Sequence, residues 1–116
     1  GVNLGASTKL PSGMYIRDIT VGTGADVVVG QNVSMRYTGA LSNGSQFDAN
    51  TSGTPFTFRL GGGQVIAGWD QGIPGMKVGG VRQLIIPSLL AYGPNDYGPI
   101  PGGSILVFAV TVVSVP

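Results

Sequence analysis

The chain has no cysteine and no histidine among its 116 residues. Without Cys there is no disulfide framework and no thiolate metal site. Without His, the commonest general base and the commonest metal ligand are gone. Glutamate is absent as well, so carboxylate chemistry rests on five aspartates: Asp18, Asp26, Asp48, Asp70 and Asp96. Charged residues make up 9% of the chain, against roughly 25% in an average soluble domain. Gly, Ser, Thr, Asn and Gln must therefore supply much of the surface. A net charge of +1 gives no electrostatic footprint for nucleic acid or an anionic membrane. No apolar run approaches the ~20 residues that span a bilayer. Nucleic acid, membrane insertion, metals and cofactors are all expected to be absent from its function. A start at Gly1 rather than Met reads as a processed or trimmed product, so a missing targeting segment is uninformative.

What is present is glycine, at 21 residues, and β-forming sequence. Residues 1–11 show no periodicity and read as a flexible N-terminal tail. Residues 12–116 read as a single domain. In "VSMRYTG", Val33, Met35 and Tyr37 alternate with Ser34, Arg36 and Thr38, the period of a half-buried strand. "SNGS" is a turn, and "QFDAN" is a short strand or strand end. "PFTFRL" alternates again, with Phe56, Phe58 and Leu60 inward. "RQLIIP" and "SILVFAVTVVSV" are apolar and β-branched, and the second is long enough for a central strand. Helical spacing occurs only at Val65, Ile66, Trp69, Ile73 and Met76, for about two turns. The plan is α+β, an antiparallel sheet covered on one face by one short helix. Between Tyr92 and Gly103, seven of twelve residues are Gly or Pro, and a loop of this length in a compact domain is more often functional than not.

The three glycines of "LGGGQVIAGWDQG" invite comparison with phosphate loops. A P-loop needs Gly-Lys-Ser/Thr after its glycines, which "GGGQVI" lacks. A dinucleotide fingerprint begun at Gly61 would need glycine where Ile66 stands, and a βαβ unit besides. A tight strand-to-helix turn explains the glycines more simply. The helix itself is weak, with Gly68 and Gly72 inside it, so packing must hold it. Trp69 on such a helix, facing a sheet lined by Phe and Tyr, is either the floor of a pocket or the plug of a small core.

The set "MRYTG", "GSQFD", "PFTFRLGGGQVIAGWDQGIPGMKVGG", "LAYG" and "IPGGSILVF" occurs in this order. It strongly resembles the FKBP-type peptidyl-prolyl cis–trans isomerases, over roughly Ser12 to Val115. The resemblance implies a curved antiparallel sheet wrapped around one short helix, with the site between them. It places Tyr37, Phe47, Asp48, Phe56 and Trp69 in the pocket, with Phe58 as a lesser wall residue. Val65, Ile66 and Ile100 fall at the rim, Tyr92 and Tyr97 on or beside the long loop, and Phe108 on the last strand. By the same resemblance, Trp69, Phe56, Val65, Tyr37 and Phe108 enclose a proline ring. The Ile66 N–H and the Tyr92 hydroxyl then hold substrate carbonyls. Asp48 accepts from Tyr37 and offers a polar contact to the rotating carbonyl; its bland alternative is a turn residue serving local N–H groups. The other aspartates read as structural: Asp18 and Asp26 in or beside turn-like, exposed segments, Asp70 on the outer face of the helix beside Trp69, Asp96 in the mobile loop.

This sequence departs from the family pattern in two places. The segment between Asp48 and Phe56 is about one residue short and lacks a basic partner for the acid. The loop after Tyr92 is also about one residue short, with Tyr97 where members vary and Pro99 where an apolar rim residue is common. The implied activity is rotation about Xaa-Pro bonds in peptides and unfolded protein clients. The alternative is a proline-recognising or chaperone-like module with weak or no catalysis. Macrolides such as FK506 or rapamycin are implied ligands under either reading. A monomer is expected. The scarcity of charge and the Ser/Thr/Gly tail point to an exported or periplasmic protein, with a cytoplasmic one as the alternative.

Overall fold

The computed structural model describes residues 7–115. Strands β1 (Thr8–Lys9), β2 (Tyr15–Thr20), β3 (Asn32–Leu41), β4 (Gln46–Asn50) and β5 (Phe56–Arg59) precede helix α1 (Ala67–Gly72). Strands β6 (Val81–Ile86) and β7 (Leu106–Ser114) follow it. All pairings are antiparallel, in the order β1-β2-β6-β7-β3-β4, with β5 also on β3. β3 is shared lengthwise: Asn32 to Met35 pair with β5, and Tyr37 to Ala40 pair with β4. Register shifts between Ser34 and Met35 and between Gly39 and Ala40 interrupt β3, and such bulges bend and twist a strand.

The alternation seen in the sequence sets which face is covered. Val33 and Met35 of β3, Leu84 and Ile86 of β6, and Leu106, Phe108, Val110 and Val112 of β7 are all buried. With Trp69 and Ile73 from the helix side they form one hydrophobic cluster. β7, read as a central strand, lies between β6 and β3.

The expected two-turn helix is a single stretch of six residues. Val65 and Ile66 lie before it, because Ile66 is extended (ψ 148°), and Met76 lies beyond Pro74 and the positive-φ Gly75. A helix this short does not form alone. Its last carbonyl and one just beyond it are satisfied by the buried Arg82, whose Nη1 donates to Gly72 O at 2.8 Å and Pro74 O at 3.1 Å. The guanidinium is neutralised by Asp18, at 2.7 Å from Nε. Asp18 is exposed as expected, but it lies on strand β2 and pairs with a buried cation. A buried charge is costly unless paired and hydrogen-bonded, and Arg82 is both.

Of the segment read as a tail, residues 1–6 lie outside the described residues. Thr8 and Lys9 pair with Ile16 and Tyr15. Leu10 N donates to Met14 O at 2.8 Å, so a short hairpin replaces the expected tail from Thr8 onward.

Candidate functional site

The glycine loop is built around one carboxylate. Gly61 and Gly63 both take positive φ, conformations that side-chain-bearing residues rarely adopt. Their N–H groups turn inward onto Asp70, donating to Oδ1 at 2.8 Å and Oδ2 at 3.1 Å. The amides that would have cradled a phosphate are held by the protein's own anion. Asp70, expected on the outer face of the helix, locks the loop to α1 from there. Gln64 adds a second lock, accepting from Arg59 N at 2.9 Å. The loop thereby delivers Val65 and Ile66 to the mouth of a cavity above Trp69.

That cavity has a volume of about 190 Å³ and is lined by residues of the sheet, the loop and the helix. Tyr37 of β3, Phe47 and Asp48 of β4, and Phe56 of β5 supply one side. Gln64, Val65, Ile66 and Trp69 supply the helix side, and Tyr92 and Phe108 close it. Trp69 is the floor, only 6% exposed. Its ring centre lies 4.9 Å from Tyr37, 5.1 Å from Phe108, and 6.0 Å from both Phe56 and Phe58. The first two are edge-to-face contacts, each worth about 0.5–1.5 kcal/mol beyond burial. Phe56, at 36% exposure, is the open wall. Gly39 makes room for Phe108 and Phe47, since a Cβ there would lie 2.7 Å from one ring and 3.0 Å from the other.

The polar groups are few and placed. The Tyr37 hydroxyl donates to Asp48 Oδ2 at 2.9 Å, and Ala49 N donates to Oδ1 at 2.8 Å. Burial, then the hydrogen bond and charge of Asp48, push the Tyr37 hydroxyl up to about 12. Burial also raises the Tyr92 hydroxyl, with neighbouring Tyr97 and then Asp48 adding to it. Among the described residues, the Tyr92 hydroxyl and the Ile66 N–H make no hydrogen bond. The buried Trp69 Nε1 is likewise without an acceptor among them.

Nine of the twelve residues expected at the site line this cavity: Tyr37, Phe47, Asp48, Phe56, Val65, Ile66, Trp69, Tyr92 and Phe108. Phe58, Ile100 and Tyr97 do not. Phe58 is buried behind Phe56, stacked on it at 5.7 Å. Ile100, expected at the rim, is 4% exposed and packs into the core. Tyr97 stands outside the cavity, stacked on Tyr92 at 4.2 Å. Gln64 was not anticipated; its position between the glycines and Val65 was the available signal. The loop aspartate Asp96 accepts from Gly102 N at 2.7 Å and so ties its own loop together.

Comparison with known proteins agrees with this geometry. Residues 24–113 match the family model described as FKBP-type peptidyl-prolyl cis-trans isomerase. A Rhizopus delemar protein named FK506-binding protein 4 is 56% identical over 92% of this chain and 28% of its own length. A Saccharomyces cerevisiae peptidyl-prolyl cis-trans isomerase is 51% identical over 93% of this chain and 26% of its own. The chain thus spans about a quarter of the length of these curated relatives. Among solved structures, AtFKBP13 superposes with a TM-score of 0.88 at 41% identity, covering 95% of this chain and 98% of that one. FkpA from Escherichia coli gives 0.85 at 36% identity, over 95% of this chain and 51% of its own.

Proposed function

The chain belongs to the FKBP-type peptidyl-prolyl cis-trans isomerase family, and from that premise we propose that this domain accelerates rotation about Xaa-Pro bonds in peptides and folding proteins. The observation that carries the proposal is a small, ring-walled cavity with uncommitted hydrogen-bond donors at its rim. A volume of about 190 Å³ is below the roughly 300–1,000 Å³ of drug-sized sites and suits a single ring with its flanking amide.

The chemistry asks for no more than this. An Xaa-Pro amide is a partial double bond with a barrier of ~18–20 kcal/mol, and it isomerises over tens of seconds or longer unaided. No covalent bond changes, so no nucleophile or metal is needed. The twisted transition state has lost amide resonance and carries less charge separation than the planar ground state. An apolar enclosure therefore disfavours the planar amide relative to the twisted one. Trp69, Tyr37, Phe56, Val65 and Phe108 enclose the pyrrolidine ring. The Ile66 N–H and the Tyr92 hydroxyl hold the flanking carbonyls, spending binding energy on the rotated geometry. Asp48, held by Tyr37 and Ala49 N, offers a fixed dipolar contact to the rotating carbonyl group. An FK506-type macrolide would seat only one of its rings in this cavity and compete with the peptide for it.

The test is cis-to-trans relaxation of Xaa-Pro-Phe peptides with and without the purified chain. Acceleration that an FK506-type ligand suppresses supports the proposal. Binding of a proline peptide without any acceleration would replace it with the recognition-module reading.

A further inference from the structure

The two tyrosines at the cavity are held in different ways. Tyr37 is fixed twice, by its hydroxyl on Asp48 and by ring contacts to Phe56, Trp69 and Phe108. Tyr92 packs partly against the core but has neither of these two anchors. Its hydroxyl makes no hydrogen bond among the described residues, and its one ring partner there is Tyr97, which lies nearly parallel, 7° between planes. Tyr97 itself is 58% exposed.

The loop that carries Tyr97 is closed on itself. Tyr97 N donates to Ile100 O at 2.8 Å, and Ile100 N returns to Tyr97 O at 2.9 Å. Gly103 N donates to Gly93 O at 2.9 Å, and Asp96 accepts from Gly102 N. The buried Ile100 side chain anchors this small hairpin to the core. Its tip is thereby held against Tyr92 by backbone bonds and one apolar plug, independently of the cavity walls.

We propose that Tyr97 is a positioning residue: its ring, braced by the Asp96–Gly103 hairpin, holds the Tyr92 hydroxyl at the cavity where it meets substrate. The inference rests on the isomerase reading of that cavity. A side chain has up to three staggered wells about χ1. If the brace were lost and Tyr92 spread among them, the productive fraction would fall to as little as about one third, and apparent efficiency with it. Stacking needs a ring and not a hydroxyl, so phenylalanine at position 97 should serve as well as tyrosine.

The experiment is a double-mutant cycle on peptide isomerisation. Tyr97→Ala is expected to lower kcat/KM about two- to threefold, and Tyr97→Phe to leave it at the level of the unsubstituted protein. In a Tyr92→Phe background, where there is no hydroxyl left to position, Tyr97→Ala should add little further loss. A purely structural role would instead lower thermal stability and rate together, in both backgrounds. Full activity of Tyr97→Ala beside an impaired Tyr92→Phe overturns the inference and leaves the isomerase reading standing. Equal losses in the two backgrounds overturn it as well. Absence of isomerisation by the unsubstituted protein sinks the isomerase reading, and the inference with it.

Discussion

Gly68→Ala tests how closely the helix must approach the sheet. Propensity alone favours the change, since Ala is better than Gly in a helix by about 0.8–1.0 kcal/mol. Packing opposes it. A Cβ at Gly68 would lie 2.6 Å from both Cδ1 and Cγ2 of Ile86 and 2.9 Å from its Cγ1. Ile86 is fully buried on β6 and β-branched, so it is stiff about χ1 and has nowhere to retreat. Overpacking of this kind costs roughly 1–3 kcal/mol, and three contacts under 3.0 Å place it at the upper end. The net expectation is destabilisation by about 1–2 kcal/mol, a Tm lowered by several degrees. Trp69 is the next residue, so a helix pushed off β6 also lifts the cavity floor, and kcat/KM should fall. Gly72→Ala is the control. Its new Cβ meets the flexible end of Met14 at 2.6 Å and Leu84 at 3.0 Å, so packing loss and propensity gain should nearly cancel. Thermal melts of both variants, with peptide isomerisation on each, decide the matter. A Gly68→Ala protein more stable than its parent would show that the helix–β6 contact is looser than these distances require.

Four further outcomes are expected. Tyr92→Phe removes one hydroxyl bond to substrate, worth on the order of 0.5–1.5 kcal/mol, and should slow isomerisation several-fold. Asp48→Ala strands the Tyr37 hydroxyl, and Phe56→Ala opens the exposed wall, so both should fall below Tyr92→Phe in kcat/KM while remaining folded by circular dichroism. Unfolding of all three would make the aromatic cluster a core rather than a site. Activity should be flat between about pH 6 and 8, because the chain has no His or Cys and both cavity tyrosines are raised away from neutrality. The Tyr37 shift has a stability consequence with a definite sign. Its folded-state pKa is raised above the unfolded 10.0 to about 12, so its contribution is complete below pH 10 and is lost as pH rises toward 12. Denaturant titrations across that window should show stability falling, less so in Tyr37→Phe. Chelators should leave isomerisation unchanged, since each aspartate is already engaged: Asp18 by Arg82, Asp26 by Lys77, Asp48 by Tyr37, Asp70 by the glycine loop, and Asp96 by Gly102. A large effect of EDTA on the purified protein would count against the proposed chemistry.

Which parts of this site could be read from sequence follows from how each residue is positioned. Tyr37 and Phe108 lie on strands whose alternation fixes the inward face, so one buried neighbour settles the orientation of the rest. Residues placed by loops are different. Ile100 and Tyr97 are three apart in a Gly/Pro-rich segment with no period, and although reciprocal hydrogen bonds pair them across a tight hairpin, nothing periodic marks Ile100 as the buried one. The family resemblance puts Ile100 at the rim and Tyr97 at a variable loop position; the closed hairpin buries the first and leaves the second outside the cavity, stacked on Tyr92. The task of Asp70 is hidden from the sequence for a related reason. Helical geometry puts it beside Trp69 and away from the sheet, which is correct as far as the helix goes. What it meets there depends on a loop that doubles back over the helix, and that path is set by the positive φ of Gly61 and Gly63. Arg82 shows the same limit across strands. Alternation predicts an apolar residue at its inward position between Val81 and Gln83, and a cation stands there because the helix end needs donors for Gly72 O and Pro74 O. That need belongs to the six-residue helix, too short to hold itself and ended by Ile73-Pro74-Gly75, so the buried charge follows from how the helix stops and not from the period of β6.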